Sequence, residues 1–251
     1  MSGHSKWSTI KRAKGAADVK KGLTFTKLAN IVALAARLGG SGDPEANPRL
    51  RMALEQARSV NMPKDNIQRA IDRGLGRLPG QTFEEVTYEG FGPGKVAFIV
   101  EGATDNRLRT NQEIKNIFDR SGGGMGSPGS TLYMFDKKGE IKIKSKKSGS
   151  KDDEMLELMD TGAEDIEEFE DEGFQYLLYT SPTQLNEVAK KLTELGYKID
   201  SQEIVFIPNI TTEITDKEIA QRVLDFAQRL EDLDDIHKVF ANFDIPDNLL
   251  E

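Results

Sequence analysis

Residues 140–200 read EIKIKSKKSGSKDDEMLELMDTGAEDIEEFEDEGFQYLLYTSPTQLNEVAKKLTELGYKID. The stretch opens with isoleucine–lysine alternation at Glu140–Lys144, the period of a strand with one buried face. A short helix follows around 153–161 and stops at Gly162. Two strand candidates, 164–170 and 174–179, flank Gly173. Ser181-Pro-Thr-Gln184 spells a capping box, and Leu185, Val188, Leu192 and Leu195 recur behind it at helix spacing. Gly196 ends that helix and a last strand begins near Lys198. The order is β-α-β-β-α-β, the split arrangement called ferredoxin-like.

Working outward, a similar order surrounds this unit. Lys95–Glu101 reads as a strand, Thr110-Asn-Gln-Glu113 as a capping box leading Ile114, Ile117 and Phe118, and Thr131–Phe135 as a second strand. On the far side, Glu203–Ile207 is a third strand and Thr215-Asp-Lys-Glu218 caps a helix bearing Ile219, Val223, Phe226 and Leu230. Lys238–Phe243 closes the set. The expectation is a discontinuous α+β domain, residues 79–136 and 202–251, with an acidic α+β domain, residues 137–201, inserted at its midpoint. One domain with a single long sheet is the alternative.

Residues 1–78 have a different period. Phe25, Leu28, Ile31/Val32, Ala35 and Leu38 recur at helix spacing before Gly39-Gly40. Asn47 caps a second helix, with Pro48 at its first position and Leu50, Ala53/Leu54, Ala57 and Val60 as its stripe. Pro63 opens a third, with Asp65 in its first turn, Ile67 and Ile71 inward, and Gly74-Leu-Gly76 as the stop. Residues 2–22 are too polar to assign and read as an arm or a marginal helix. The fold class is therefore α+β multi-domain: an N-terminal three-helix bundle plus two ferredoxin-like domains, one inserted in the other.

Charge separates these parts. Residues 1–78 hold 15 Lys/Arg against 6 Asp/Glu, a net +9, whereas the remaining 173 hold 19 against 36, a net −17. A basic face suits polyanions, above all nucleic acid. The chain has no cysteine, which excludes disulfides and thiolate metal sites and fits a reducing compartment. Its most apolar run, Leu28 to Leu38, is interrupted by Asn30 and Arg37 and is far short of the ~20 residues of a membrane span. Met1–Trp7 has no apolar core, so no secretory signal is expected.

Gly124-Met-Gly-Ser-Pro-Gly129 matches the dinucleotide-binding glycine pattern, but a helix precedes it and a strand follows, the reverse of what a pyrophosphate site requires. It reads as a permissive turn, as does Gly90-Phe-Gly-Pro-Gly94 between two strands. Asp152 to Glu172 contains 12 carboxylates and no Lys or Arg, without EF-hand spacing, and reads as a solvated, repulsive face. Lys137 to Lys151 contains seven lysines, serving either phosphate contact or protection of a strand edge. His4 and His237 have no carboxylate or hydroxyl partner by spacing. No catalytic residue, cofactor site or metal site is expected, and the chain reads as a binding protein, not an enzyme.

The candidate nucleic-acid contacts lie in the basic head. Lys6, Lys11, Arg12, Lys14, Lys20, Lys21 and Lys27 accompany only Asp18, and Trp7 among them can stack on a base or wedge a groove. Arg49 and Arg51, beside Arg58, add charge on the second helix, and Lys64, Arg69 and Arg73 on the third, with Arg69 and Arg73 on one face. A solvated surface with Trp7 packed in the core is the plainer account of the same residues.

Several blocks resemble the YebC/PmpR family: Ser2-Gly-His-Ser-Lys-Trp7 with Ile10-Lys11; Gly39-Gly-Ser-Gly-Asp-Pro-Glu-Ala-Asn-Pro-Arg-Leu-Arg51; Asn61-Met-Pro-Lys-Asp-Asn-Ile67; and Tyr88-Glu-Gly-Phe-Gly-Pro-Gly94. Thr104-Asp-Asn-Arg107 with Arg109-Thr110, Gly129-Ser130 leading to Tyr133-Met-Phe135, Leu230-Glu-Asp-Leu-Asp-Asp235 and Ala241-Asn-Phe-Asp-Ile-Pro246 continue the match. Lys95 departs from it, standing where many members continue a glycine run. The resemblance implies three domains, a cytoplasmic location without a presequence, and a probable DNA-binding transcriptional regulator with no agreed catalytic residues. It also implies links to translation, because mitochondrial relatives activate translation and bacterial relatives are tied to the ribosome. The expected function is thus non-enzymatic regulation of transcription through DNA. The alternative is a ribosome-associated translation factor that binds RNA. Neither a membrane nor a small-molecule substrate is expected, and the sequence shows no strong dimer seam.

Overall fold

A computed structural model describes residues 21–78, 83–146, 151–170 and 174–249. The cationic arm up to Lys20 lies outside these residues, as does Gly173.

In the head, helices α1 (Lys21–Gly39), α2 (Pro48–Ser59) and α3 (Lys64–Gly74) enclose Val32, Ala36, Leu50, Leu54, Ala57 and Ile71. Asn47 makes the corner between the first two. Its Oδ1 accepts from the Leu50 N–H at 3.1 Å, while Nδ2 donates to the carbonyls of Ala35 (2.9 Å) and Ser41 (3.0 Å). One buried amide therefore caps α2, an interaction worth about 1 kcal/mol, and fastens it to α1. α1 and α3 cross so closely that a Cβ on Gly74 would collide with the Ala33 carbonyl. Leu38 and Val60, expected in the buried stripes, are instead 49% and 37% exposed, because both sit where their helices end and no neighbouring helix reaches them.

The chain divides into two compact units, 1–134 with 210–251, and 135–209. Besides the head, the first holds a sheet of β1 (Glu84–Phe91), β2 (Ala97–Thr104), β3 (Gly124–Met125) and β8 (Ile236–Ala241) in the antiparallel order β3-β1-β2-β8. On one face lie α4 (Arg107–Arg120) and α7 (Lys217–Glu231). Phe98 of β2 and Phe118 of α4 each meet Phe226 of α7 edge-on, with centroids 4.8 and 4.9 Å apart. A small cluster of Ala33, Leu34, Phe83 and Ala103 joins α1 to β2 on the other face.

Glu89 of β1 organises the glycine-rich loop after β3. It is buried, and its carboxylate accepts from the N–H groups of Gly129 (2.6 Å), Thr131 (2.8 Å) and Leu132 (2.8 Å) and from the Thr131 hydroxyl (3.2 Å). Burial raises its pKa, but the backbone donors outweigh that and hold the carboxyl below its ordinary value. Gly129, at φ 87°, takes a left-handed turn that glycine adopts freely.

The second unit runs β4 (Phe135–Lys144), α5 (Lys151–Met159), β5 (Asp165–Glu170), β6 (Phe174–Thr180), α6 (Leu185–Glu194), β7 (Ile199–Pro208), with sheet order β5-β6-β4-β7. Ile141, Ile143, Leu158, Tyr176, Leu178, Val188 and Leu192 form its core. This is the ferredoxin-like order expected from residues 140–200.

The flanking strands differ from expectation. The sequence pattern places Thr131–Phe135 and Glu203–Ile207 in the outer domain. Residues 132–134 instead form a 3-10 turn, while Phe135 begins β4 and Glu203–Ile207 lie within β7. These two strands pair continuously from Phe135↔Pro208 to Lys142↔Ser201, so the ladder claims both for the inserted unit. β1, paired along its whole length with β2, takes their place in the outer sheet. β4 lies between β6 and β7, so its lysines cannot be guarding an edge. Lys138 instead pairs with Glu164 (2.5 Å), and Lys146, just past the strand, pairs with Glu157 (2.8 Å). The edge strands are β5 and β7, and on β5 Asp165, Glu167 and Glu168 supply charge that discourages further pairing. No described helix is long and apolar enough to cross a membrane.

Candidate nucleic-acid interface

Lys6, Trp7, Lys11, Arg12, Lys14 and Lys20 lie outside the described residues, and Lys21 opens α1. The remaining candidates divide into two groups. Arg49, Lys64 and Arg69, together with Arg58, are exposed on α2 and α3 and form no ion pair among the described residues. Arg51 is also exposed, but it folds back on the turn before α2. It donates to the carbonyls of Pro44 (3.2 Å) and Glu45 (3.4 Å) and lies 3.6 Å from the Glu45 carboxylate. Such an exposed pair is worth little and leaves the charge available.

Lys27 and Arg73 belong to the second group. The Lys27 ammonium donates to the carbonyl of Glu231 at the end of α7. Arg73 donates to Asn30 Oδ1 at 2.7 Å, with its guanidinium 4.6 Å from the centre of the Phe83 ring. Burial lowers the Arg73 pKa, opposed by the charges of Asp105 and Asp235. Arg69 and Arg73 are one turn apart, yet one faces solvent and the other faces the body.

Arg73 borders a cavity of about 490 Å³ also lined by Thr26, Asn30, Phe83, Asp105 and Asp235. Asp235 is the fixed point of its wall. Its Oδ2 accepts from the hydroxyls of Thr104 (2.9 Å) and Thr110 (2.6 Å) and from the Arg109 guanidinium (2.8 Å). Thr110 is therefore not the expected helix cap. Asn106 caps α4, accepting from the Arg109 N–H at 3.1 Å. The cavity residues Asn30, Phe83 and Asp235 were not among the candidates, since nothing local marks residues so distant in sequence as neighbours. Among the described residues no group of three His, Asp or Glu side chains is placed to hold a metal ion.

Two family models match the chain. The TACO1/YebC protein N-terminal domain covers residues 5–77, and the TACO1/YebC second and third domain covers 83–243. The chain belongs to the TACO1/YebC family. It is 47% identical over 251 residues to a protein of Sulfurihydrogenibium, covering 100% of this chain and 98% of that one. A protein of Dictyoglomus thermophilum is 46% identical, with 100% and 99% covered. Both relatives are named probable transcriptional regulatory proteins. The crystal structure of a conserved hypothetical protein from Aquifex aeolicus superposes with a TM-score of 0.80 at 43% identity, over 91% of this chain and 92% of that one. The two family models meet at residues 78–82, where the head gives way to β1.

Proposed function

We propose that this TACO1/YebC protein is a non-enzymatic regulator of transcription that grips duplex DNA with residues 1–78. The observation that carries this reading is the set Arg49, Arg58, Lys64 and Arg69, exposed and without an ion pair among the described residues, on a head of net +9, while the rest of the chain is net −17. The names of its relatives point the same way. Each cation that meets a phosphate releases condensed counterions, so affinity falls steeply with salt. Such contacts fix position and carry little sequence information, which α3 or the arm would have to supply from a groove. The acidic remainder does not cancel the attraction, since screening is strong beyond about 10 Å at ordinary salt.

Alanine at all four outward positions removes up to four phosphate contacts. The slope of log affinity against log salt on duplex DNA then shrinks by about 3.6. A quadruple variant with the parental slope contradicts the reading.

A second reading, a translation factor on ribosomal RNA, draws on a different feature. Residues 121–135 contain no charged side chain in a chain that is 30% charged, and Leu132 and Tyr133 at their end are 42% and 65% exposed. A neutral loop held by Glu89 and presenting an aromatic ring suits close approach to unpaired bases. Sedimentation of cell extract at low and high salt separates the readings, because absence from every ribosomal fraction dismisses the second.

A further inference from the structure

We propose that the head carries a second set of cations, Lys27, Arg37 and Arg73, that act as positioning residues, orienting the DNA-gripping face on the α+β body instead of touching phosphate. The inference rests on the DNA-binding reading for its functional consequence, and on geometry alone for the seam. Each of the three donates to a neutral acceptor. Lys27 reaches the Glu231 carbonyl at the C-terminal end of α7, where the helix dipole favours a cation. Arg37 donates to the carbonyl of Phe83. Arg73 donates to Asn30, which itself donates through Nδ2 to the carbonyl of Asp234 at 3.2 Å. Asn30 is thus a bridge: one side chain holds both the arginine of α3 and the turn that follows α7.

The apolar part of the seam is the cluster Ala33, Leu34, Phe83 and Ala103, and beside that lies the open cavity of about 490 Å³. The head and the outer α+β domain have separate cores. Small, polar seams of this kind permit relative motion unless directional bonds prevent it. A duplex presents phosphates in a rigid array, so cations on α2 and α3 engage together only when the head is held at one angle. Loosening lowers the fraction of molecules that are competent to bind, and apparent affinity falls in proportion.

The chain has no cysteine, so Gln56→Cys on α2 and Glu218→Cys on α7 accept two spin labels without background. Pulsed electron resonance on the full chain then reads the distance between head and body. The parent and Arg69→Ala give one narrow distribution, whereas Arg73→Ala and Asn30→Ala broaden it. In salt titrations against a labelled 20-base-pair duplex, Arg69→Ala lowers the slope by about 0.9. Asn30→Ala keeps every charge, so it leaves the slope unchanged while affinity falls roughly fivefold if the competent fraction falls to a fifth. Arg73→Ala follows Asn30→Ala. The proposal is overturned if both variants keep the narrow distribution, or if Arg73→Ala lowers the slope as Arg69→Ala does, which would make Arg73 a phosphate contact. Should Arg73→Ala fail to fold, Asn30→Ala alone decides. A parent that binds no duplex refutes the DNA reading, and the distance distributions still judge the seam.

Discussion

Replacing Glu89 by Gln tests whether a buried carboxylate fixes the 126–132 loop. Its two oxygens divide the work: Oε1 accepts from Gly129, and Oε2 from Thr131 and Leu132. A glutamine amide oriented to keep its oxygen on Thr131 and Leu132 turns its NH₂ toward the Gly129 N–H and leaves that donor unpaired. An orphaned buried donor costs about 1–3 kcal/mol, and the surviving bonds from Thr131 and Leu132 weaken from charge-assisted to neutral. The expected loss is about 3 kcal/mol at pH 7. Because the chain has two units, the loss is best read locally, from amide exchange at Gly129, Thr131 and Leu132, which should accelerate by roughly a hundredfold. The pH dependence has a fixed sign. The folded carboxyl titrates below its ordinary value, so its stabilisation is complete above the ordinary carboxylate pKa and fades as pH falls through the lower folded value. The gap between parent and variant should close over that acidic window, since glutamine does not titrate. A variant within about 0.5 kcal/mol of the parent at pH 7, with unchanged exchange at the three amides, refutes this account of the loop.

Three further substitutions follow from local geometry. Lys95, exposed and held at φ 60°, adopts a conformation that costs a non-glycine residue about 1–2 kcal/mol. Allowing for the greater freedom of glycine when unfolded, Lys95→Gly should raise stability by about 0.5–1 kcal/mol in denaturant titration. Asp235→Ala leaves the buried Thr104 hydroxyl without its acceptor, while Thr110 keeps the Asn106 carbonyl at 3.1 Å, and should cost about 1–3 kcal/mol by the same measurement, the exposed Arg109 being resolvated. Gly74→Ala forces α3 away from the Ala33 carbonyl and should cost about 1–3 kcal/mol, read as a lower thermal midpoint of the head.

Where a local signal had one interpretation, it was readable. The alternation of Ile141 and Ile143, the glycine stops and the stripe Leu185–Val188–Leu192 have no rival account, and the inserted fold follows from them. The Asn47-Pro48 start of α2 is equally unambiguous, because side chain and ring both favour the same residue as the cap. Signals that competed were settled elsewhere in the chain. Asn106 and Thr110 both resemble helix caps, and the choice between them involves Asp235, whose carboxylate takes the Thr110 hydroxyl across 125 residues. Thr215 gave way to Asp216 as the cap of α7 by a single position, since Asp216 meets the Ile219 N–H at 2.9 Å. Ser181 bonds the Gln184 side chain instead of a helix N–H, and α6 starts only at Leu185. Arg69 and Arg73 are indistinguishable by charge and spacing. Their different surroundings come from Asn30 and Phe83, which no pattern within α3 encodes.

The central claim is that the basic head is the polyanion grip. It is tested most directly by fluorescence anisotropy on duplex DNA between about 50 and 200 mM salt, comparing the full chain with one lacking residues 1–22. The account predicts that the truncated chain loses most of its affinity and that its salt dependence flattens. Equal affinity and equal slope for the two chains would contradict it.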